Sequence, residues 1–380
     1  KTYATIKQLD SCFKLRKYAA CTKKDFYILT GWATEETVNE MLLRTEHDDA
    51  VELVIEDENS GINSTPPTKL KNFFLFRPFE MFVKMYGVPN YNEIDPTFFV
   101  AITYAILFGV MFGDVGQGAV LFIGGLLLYK LKKNDLGAII SLCGVFSTVF
   151  GFAYGSIFGY EDKLPALWLS PMHNITTILV YPVIAGAGII LICMFFNVIN
   201  AIRTKDISRL LLDKNGIAGI LFYGSVLALA GLVLAGKSGI AITILASLIG
   251  LGLLLMIVKE PVTHIMKKKK AIEGSKVMFV VETFFELFEV LLSFITNTVS
   301  FVRVGAFALS HAGMMGVVHL LADAASGKPN IIVLILGNLL VMGLEGLIVG
   351  IQVLRLEFYE VFSRFYTGRG REFRPFNKNV

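Results

Sequence analysis

Arg303 and Arg355 each stand inside an apolar run long enough to cross a bilayer. A guanidinium at bilayer depth costs roughly 2.5–3.5 kcal/mol on insertion scales, so each must face a polar interior, a water-filled cavity or a partner. At 100° per residue, Thr296, Ser300, Arg303, Phe307, Ser310 and Met314 share one helical stripe, with His311 beside it. By the same rotation Asn338, Glu345, Gln352 and Arg355 fall within an arc of roughly 100°. Hydrogen bonding between helices accounts for Thr296 and Ser300; it accounts poorly for Glu345 with Arg355. If the first of these runs rises from the inner side, Glu289 lies roughly 20 Å inward of Arg303 and His311 roughly 12 Å outward. Glu345 lies roughly 15 Å outward of Arg355 on the returning run. Glu282, Glu286 and Glu289 share a face at the inner mouth, where a solvated helix end also explains the first two. Titratable groups on both sides of a fixed positive pair are what two offset ion half-channels require. A carboxylate carried past on another subunit is favoured in its ionised form beside a guanidinium and releases its proton or cation there. Arginine suits the role because it does not deprotonate.

The elements that must position these groups are membrane helices. Of 380 residues 54% are hydrophobic and 17% charged, with a mean hydropathy of +0.63; a typical soluble domain carries about 25% charged residues. A soluble globular enzyme and a disordered scaffold are thereby excluded, and a net charge of +4 does not suggest a nucleic-acid binder. Eight spans are expected, at about 97–113, 115–130, 136–158, 177–201, 216–236, 239–258, 280–322 and 330–364. Each approaches the roughly 20 helical residues needed for a hydrocarbon core of about 30 Å. The first two form a tight hairpin turning at Gly113 and Asp114. The last two are long enough to imply strong tilt or extension beyond the bilayer. Lys and Arg concentrate in segments 130–135, 202–214, 259–276 and 364–380, whereas the opposite turns hold only Lys163, Lys237 and Lys328. That asymmetry puts the first set, the N-terminal lobe and the C-terminus in the cytoplasm.

The expected fold is thus mainly α: a polytopic membrane protein plus part of a small α/β cytoplasmic lobe. Residues 1–60 form the end of that lobe, 61–95 a linker with an interfacial amphipathic segment, 96–366 the membrane domain and 367–380 a cytoplasmic tail. Within the lobe, 25–32 and 50–57 alternate like strands around a helix at 34–45 capped by Thr34. Phe73 to Val83 is an aromatic amphipathic stretch that suits either an interface or a buried helix. The chain begins at Lys1 without an initiator Met or a signal peptide, so it is expected to be a fragment of something longer. Cys12, Cys21, Cys143 and Cys193 have no metal-ligand or disulfide-framework spacing.

Several ordered segments carry a resemblance: TGWATEETV at 30–38, PPTKL at 66–70, YGVPNYNEIDPT at 86–97, FGVMFGDVGQG at 108–118, FGFAYGSIFGY at 150–160, SFVRVGAFALSHAG at 300–313, and the run LEGLIVGIQVLRLEFYEVFSRFYTGRGREFRPF at 344–376. In these the sequence resembles the membrane half of the a/I subunit of rotary V/A-type ATPases, in its prokaryotic form. The resemblance implies eight membrane helices beside a proteolipid c/K-ring, with Arg303 and Arg355 as stator arginines. It implies that Glu289, with Glu286 and Glu282, lines a cytoplasmic half-channel, and that His311, Glu345 and Gln352 belong to an outer one. Thr296, Ser300, Ser310 and Asn338 complete the polar stripe. Further implied partners are peripheral stalk subunits, a central-stalk-connecting subunit and membrane lipids. No cofactor is implied beyond the translocated H+ or Na+, and ATP hydrolysis would take place on partner subunits. Most of the family's N-terminal cytoplasmic arm has no counterpart here.

Residues 231–238 fit the spacing G-x-x-x-x-G-K-S, but a phosphate-binding loop follows a strand and opens a helix, whereas this segment closes an apolar span. No nucleotide or metal site is expected. Asp114 reads as a structural turn residue, Lys267 to Lys270 as a topological anchor with anionic-lipid contact as the alternative; His47 and His173 carry no constellation, His264 sits beside basic residues near the inner face, and His319 reads as a packing residue. A secondary transporter or channel using buried Arg and Glu stays in play, although no repeated halves are visible. A purely structural membrane anchor leaves the two arginines unexplained.

Overall fold

The computed structural model describes residues 19–23, 26–56, 66–160, 164–236, 239–259, 276–323 and 330–374. The chain divides into two compact units. The first comprises 1–69, 88–91 and 369–380, the second 70–87 and 92–368.

In the first unit, strand β1 (Ala19–Lys23) pairs antiparallel with β2 (Phe26–Leu29), Ala19 opposite Leu29. Helix α1 (Glu35–Thr45) follows, with Thr34 as N-cap residue in an extended conformation. Residues 51–56 form no strand. The expectation of a second strand at 50–57, and with it a βαβ lobe, is corrected to a hairpin followed by a helix. Alternation alone does not make a strand when no neighbouring backbone is aligned to complete a ladder. Elsewhere in this unit Thr68 bridges Glu372 and Val88 bridges Gly370.

The second unit is helical. A short 3-10 turn (Arg77–Phe79) leads into α2 (Glu80–Tyr86). Phe79, Phe82 and Val83 are buried, and the rings of Phe79 and Phe82 stand 5.9 and 5.0 Å from Tyr104. The aromatic stretch therefore packs into the helical core along half its length, while Phe73 and Phe74 stay exposed. Next come α3 (Thr97–Met111), α4 (Val115–Lys132), α5 (Asp135–Tyr154), α6 (Ile175–Arg203), the short α7 (Ile207–Leu211), α8 (Ile217–Leu234) and α9 (Ile240–Ile257). Last are α10 (Lys276–Ser300), α11 (Val302–Asp323), α12 (Ile331–Leu356), a π-helical stretch (Glu357–Phe362) and α13 (Ser363–Phe365). Gly231 to Leu234 of the phosphate-loop-like spacing end α8; Lys237 and Ser238 lie outside the described residues.

Polar caps set where helices begin. Asp114, fully buried, accepts from Gln117 N at 2.9 Å and so starts α4. It also accepts from Phe158 N (2.9 Å), Gly159 N (2.8 Å) and Ser156 Oγ (2.8 Å), tying the far end of α5 to the start of α4. Asn134 and Asn330 cap α5 and α12 in the same way, through Leu136 N and Ile332 N. Glycines let α4 and α5 lie side by side: a Cβ on Gly144 would overlap the backbone of Phe122. Helix α6 packs against α8, α10 and α11, and α11 against α12.

Among the described residues, seven helical runs are long and apolar enough to cross a membrane. The expected eighth, α3, is an apolar helix of 15 residues and falls short of that length. The run at 281–323 is also not the single unbroken helix expected for 280–322, since Phe301 interrupts it. There Phe301 N bonds Thr298 O at 3.3 Å and Val304 N bonds Phe301 O at 3.0 Å, tightening one turn between α10 and α11. The last run continues from 331 to 365 but widens into the π stretch directly after Leu356.

Candidate functional site: a charged cluster between helices α11 and α12

Arg303 sits in the first turn of α11 and is partly buried. Its Nη2 donates to Ser300 Oγ at 3.1 Å, and Ser300 Oγ in turn donates to Glu360 Oε1. Glu360 lies in the π stretch and is 5% exposed. Arg355 is exposed, near the end of α12, and its charge acts on both Arg303 and Glu360. Arg303 thus reaches the buried Glu360 carboxyl through Ser300, and Arg355 stands close enough to act on both electrostatically. Arg303 Nη1 and Glu360 Oε2 are buried with no hydrogen-bond partner among the described residues.

Exposure shows which way the cluster faces. On α12 the apolar side chains of Leu340, Leu344, Leu347, Ile348 and Ile351 are exposed, while Val341, Glu345, Val349 and Val353 are buried. Arg355 lies beside the exposed set. On α11 Ala306, Ser310, Met314 and Val317 are exposed and continue the stripe that Arg303 begins. The cluster therefore opens onto an apolar outer surface that extends over both helices.

Farther along the same two helices, His311 Nδ1 and Glu345 Oε2 stand 2.6 Å apart, 4% and 2% exposed. The His311 ring lies 4.7 Å from that of Phe112. His311 Nε2 and Glu345 Oε1 are without partner among the described residues. Beyond them Asn338 Oδ1 accepts from Gln117 Nε2 at 3.0 Å. Polar groups from α4, α11 and α12 thus converge in one interior region.

The structure joins some of the expected site residues and separates others. It links Arg303 with Ser300, His311 with Glu345, and Asn338 with α4. Gln352 is half-buried, its Oε1 unpartnered among the described residues. Thr296 is exposed and bonds its own helix at Leu292 O, and Ser310 is exposed. Glu282, Glu286 and Glu289 are exposed on α10, and among the described residues no hydrogen bond or ion pair joins them to the arginines. Sequence reading missed Glu357, Glu360 and Arg364, all buried. Extending the helical period past Arg355 does not find them, since at 100° per residue Glu360 and Arg364 fall roughly 140° and 180° away from it. Arg364 donates from Nη1 to Asn215 Oδ1 at 3.1 Å, and its guanidinium lies 4.8 Å from the centre of the Phe294 ring. Asn200 Nδ2 holds Phe365 O at 3.0 Å, fixing the end of the last run to α6. No group of three or more His, Cys, Asp or Glu suited to a metal ion occurs among the described residues.

Fold and site together define an integral membrane protein that carries Arg303 and Arg355 on two helices packed against each other. The V-type ATPase 116kDa subunit family model matches residues 4–165. Among curated proteins, the A-type ATP synthase subunit I of Aeropyrum pernix is 31% identical over 359 aligned residues, covering 81% of this chain and 51% of the relative. The subunit I of Pyrococcus abyssi is 30% identical over 331 residues, covering 82% and 47%. That of Methanocaldococcus jannaschii is 26% identical over 356 residues, covering 82% and 49%. The chain belongs to this family, the a/I subunits of V/A-type ATPases, and spans about half the length of these curated relatives.

Proposed function

We propose that the chain is a stator subunit in the membrane sector of a rotary A-type ATPase, and that Arg303 and Arg355 are the fixed cations past which carboxylates of a proteolipid ring are carried. The observation that supports this best is the Arg303–Ser300–Glu360 linkage beside exposed Arg355. It holds a pair of guanidinium groups, one partner to a carboxylate and one presented outward, at an apolar surface where a second helix can dock. A protonated or cation-loaded carboxyl arriving there meets net positive charge. Its ionised form is favoured and its cargo leaves. Arg cannot supply a proton in exchange, so the same charge bars direct passage of a cation between the two sides.

The outer path runs through His311, Glu345 and the Gln117–Asn338 contact, with Gln352 between these and the arginines. The inner path begins at the exposed Glu282, Glu286 and Glu289 and passes Glu360. In this reading the lobe and the C-terminus lie in the cytoplasm, which the Lys and Arg distribution supports. The ring, peripheral stalks and a subunit joining the central stalk are the partners, membrane lipids surround the assembly, and nucleotide is hydrolysed elsewhere in it. The translocated ion is H+ or Na+.

The test is ATP-driven uptake by the complete complex in liposomes, read for H+ by dye quenching and for Na+ by radiotracer. Arg303→Ala or Arg355→Ala should assemble normally and lower uptake at least tenfold, and the isolated chain should move neither ion. Wild-type uptake in both variants refutes the stator role, and transport by the isolated chain points to a secondary transporter.

A further inference from the structure

Arg303 owes its place to an interruption that its own sequence does not explain. Phenylalanine is not a helix breaker, yet the chain leaves α10 at Ser300 and re-enters a helix at Val302. The facing helix α6 carries two irregularities one turn apart, Pro182 and Gly186, both buried. Phe301 is fully buried, and its ring fills the notch left by Gly186; a Cβ on Gly186 would overlap that ring. On the other side of Arg303, Gly305 rests against the carbonyl of Ile178, which a Cβ would likewise overlap. That carbonyl is free to meet α11 because Pro182, four residues on, has no N–H to bond it within α6. A close Cα–H to carbonyl approach is a recurring feature of helix–helix contacts.

We propose that α6 is the template that positions Arg303: the Gly186 notch seats Phe301, the carbonyl released by Pro182 seats Gly305, and the arginine is held between these two anchors. Phe301 and Gly186 are positioning residues that act through Arg303. Displacing the interruption by one residue turns α11 by about 100° and carries the guanidinium away from Ser300 and Glu360. Misplacement of a reacting group by about 1 Å can cost on the order of 100-fold in rate. The inference rests on the stator reading of Arg303.

The experiment uses the complete complex in liposomes, with ATP hydrolysis, subunit composition and ion uptake per ATP measured together. Gly186→Val should expel the ring and lower uptake per ATP at least tenfold while hydrolysis and composition persist. Phe301→Ala, which removes volume rather than adding it, should show the same loss. Combining the two should restore uptake per ATP to within about threefold of wild type, a rescue that a merely structural role does not produce. Gly188→Val is the control, because no atom lies within 4 Å of a Cβ there, and it should be silent. Wild-type coupling in Phe301→Ala, or a double variant no better than the single ones, overturns the template. Arg303→Ala separates the two claims: if it abolishes uptake while Gly186→Val and Phe301→Ala do not, only the template falls. If Arg303→Ala is itself silent, the stator reading falls.

Discussion

Glu345→Leu, which removes the partner of His311, yields a quantitative prediction. The two groups meet at 2.6 Å with side chains 5% and 2% exposed, so solvent cannot replace either one. Removing one member of a buried hydrogen-bonded pair leaves the other unsatisfied, at about 1–3 kcal/mol. Glu345→Leu should therefore destabilise the subunit by about 1–3 kcal/mol. Glu345→Gln, whose amide can still hydrogen-bond the ring nitrogen, should cost on the order of half as much. The assay is denaturant unfolding of the solubilised subunit, followed by tryptophan fluorescence, in a cycle of Glu345→Leu, His311→Ala and the double variant. The double variant should be little worse than the worse single one, giving a coupling energy of about 1–3 kcal/mol. Single effects that simply add, with coupling near zero, would refute a direct interaction. In the assembled complex, Glu345→Gln should also lower ATP-driven ion uptake while leaving assembly intact.

Two further predictions concern the arginine pair and its scaffold. Glu360→Gln removes the carboxylate that Ser300 links to Arg303, so uptake per ATP should fall severalfold while Glu360→Asp keeps part of it; equal uptake in wild type and Glu360→Gln would remove Glu360 from the site. Asp114→Ala strips the acceptor from Gln117 N, Phe158 N, Gly159 N and Ser156 Oγ, and should cost at least about 3 kcal/mol at roughly 1–3 kcal/mol for each group left buried and unpaired, measured by the same unfolding titration. Asp114→Asn should lose less, since its remaining oxygen still accepts.

What could be read from the chain follows from which interactions are local. Apolar run length foretold the long membrane helices, and the 3.6-residue period put His311 beside the stripe of Arg303 and Glu345 in the arc of Arg355, because helical rotation depends only on spacing. The shortness of α3 was harder to see. Its start depends on Thr97 N bonding the Asp95 side chain and its end on the turn that Asp114 anchors. The interruption at Phe301 left no local trace, since its cause is a glycine and a proline on α6. The π stretch was equally hidden. It brings Glu360 to Ser300 across 60 positions of sequence, and no propensity at Glu357 to Phe362 announces it. Residues 50–57 misled for the opposite reason. Their alternation is genuine, but a strand is completed by a neighbour, and residues 51–56 pair with none of the described backbone.

The central claim, that the arginine pair faces a moving partner helix, is tested most directly by disulfide trapping on the exposed face of α12. Cysteine at Ile351, 55% exposed and one turn from Arg355, is combined in the complete complex with cysteines scanned along the proteolipid helix that bears the carboxylate. A disulfide at positions flanking that carboxylate, arrest of ATP-driven ion uptake on oxidation, and recovery on reduction are expected. Failure of Ile351→Cys to trap any proteolipid position, in complexes that still pump, would contradict the central claim.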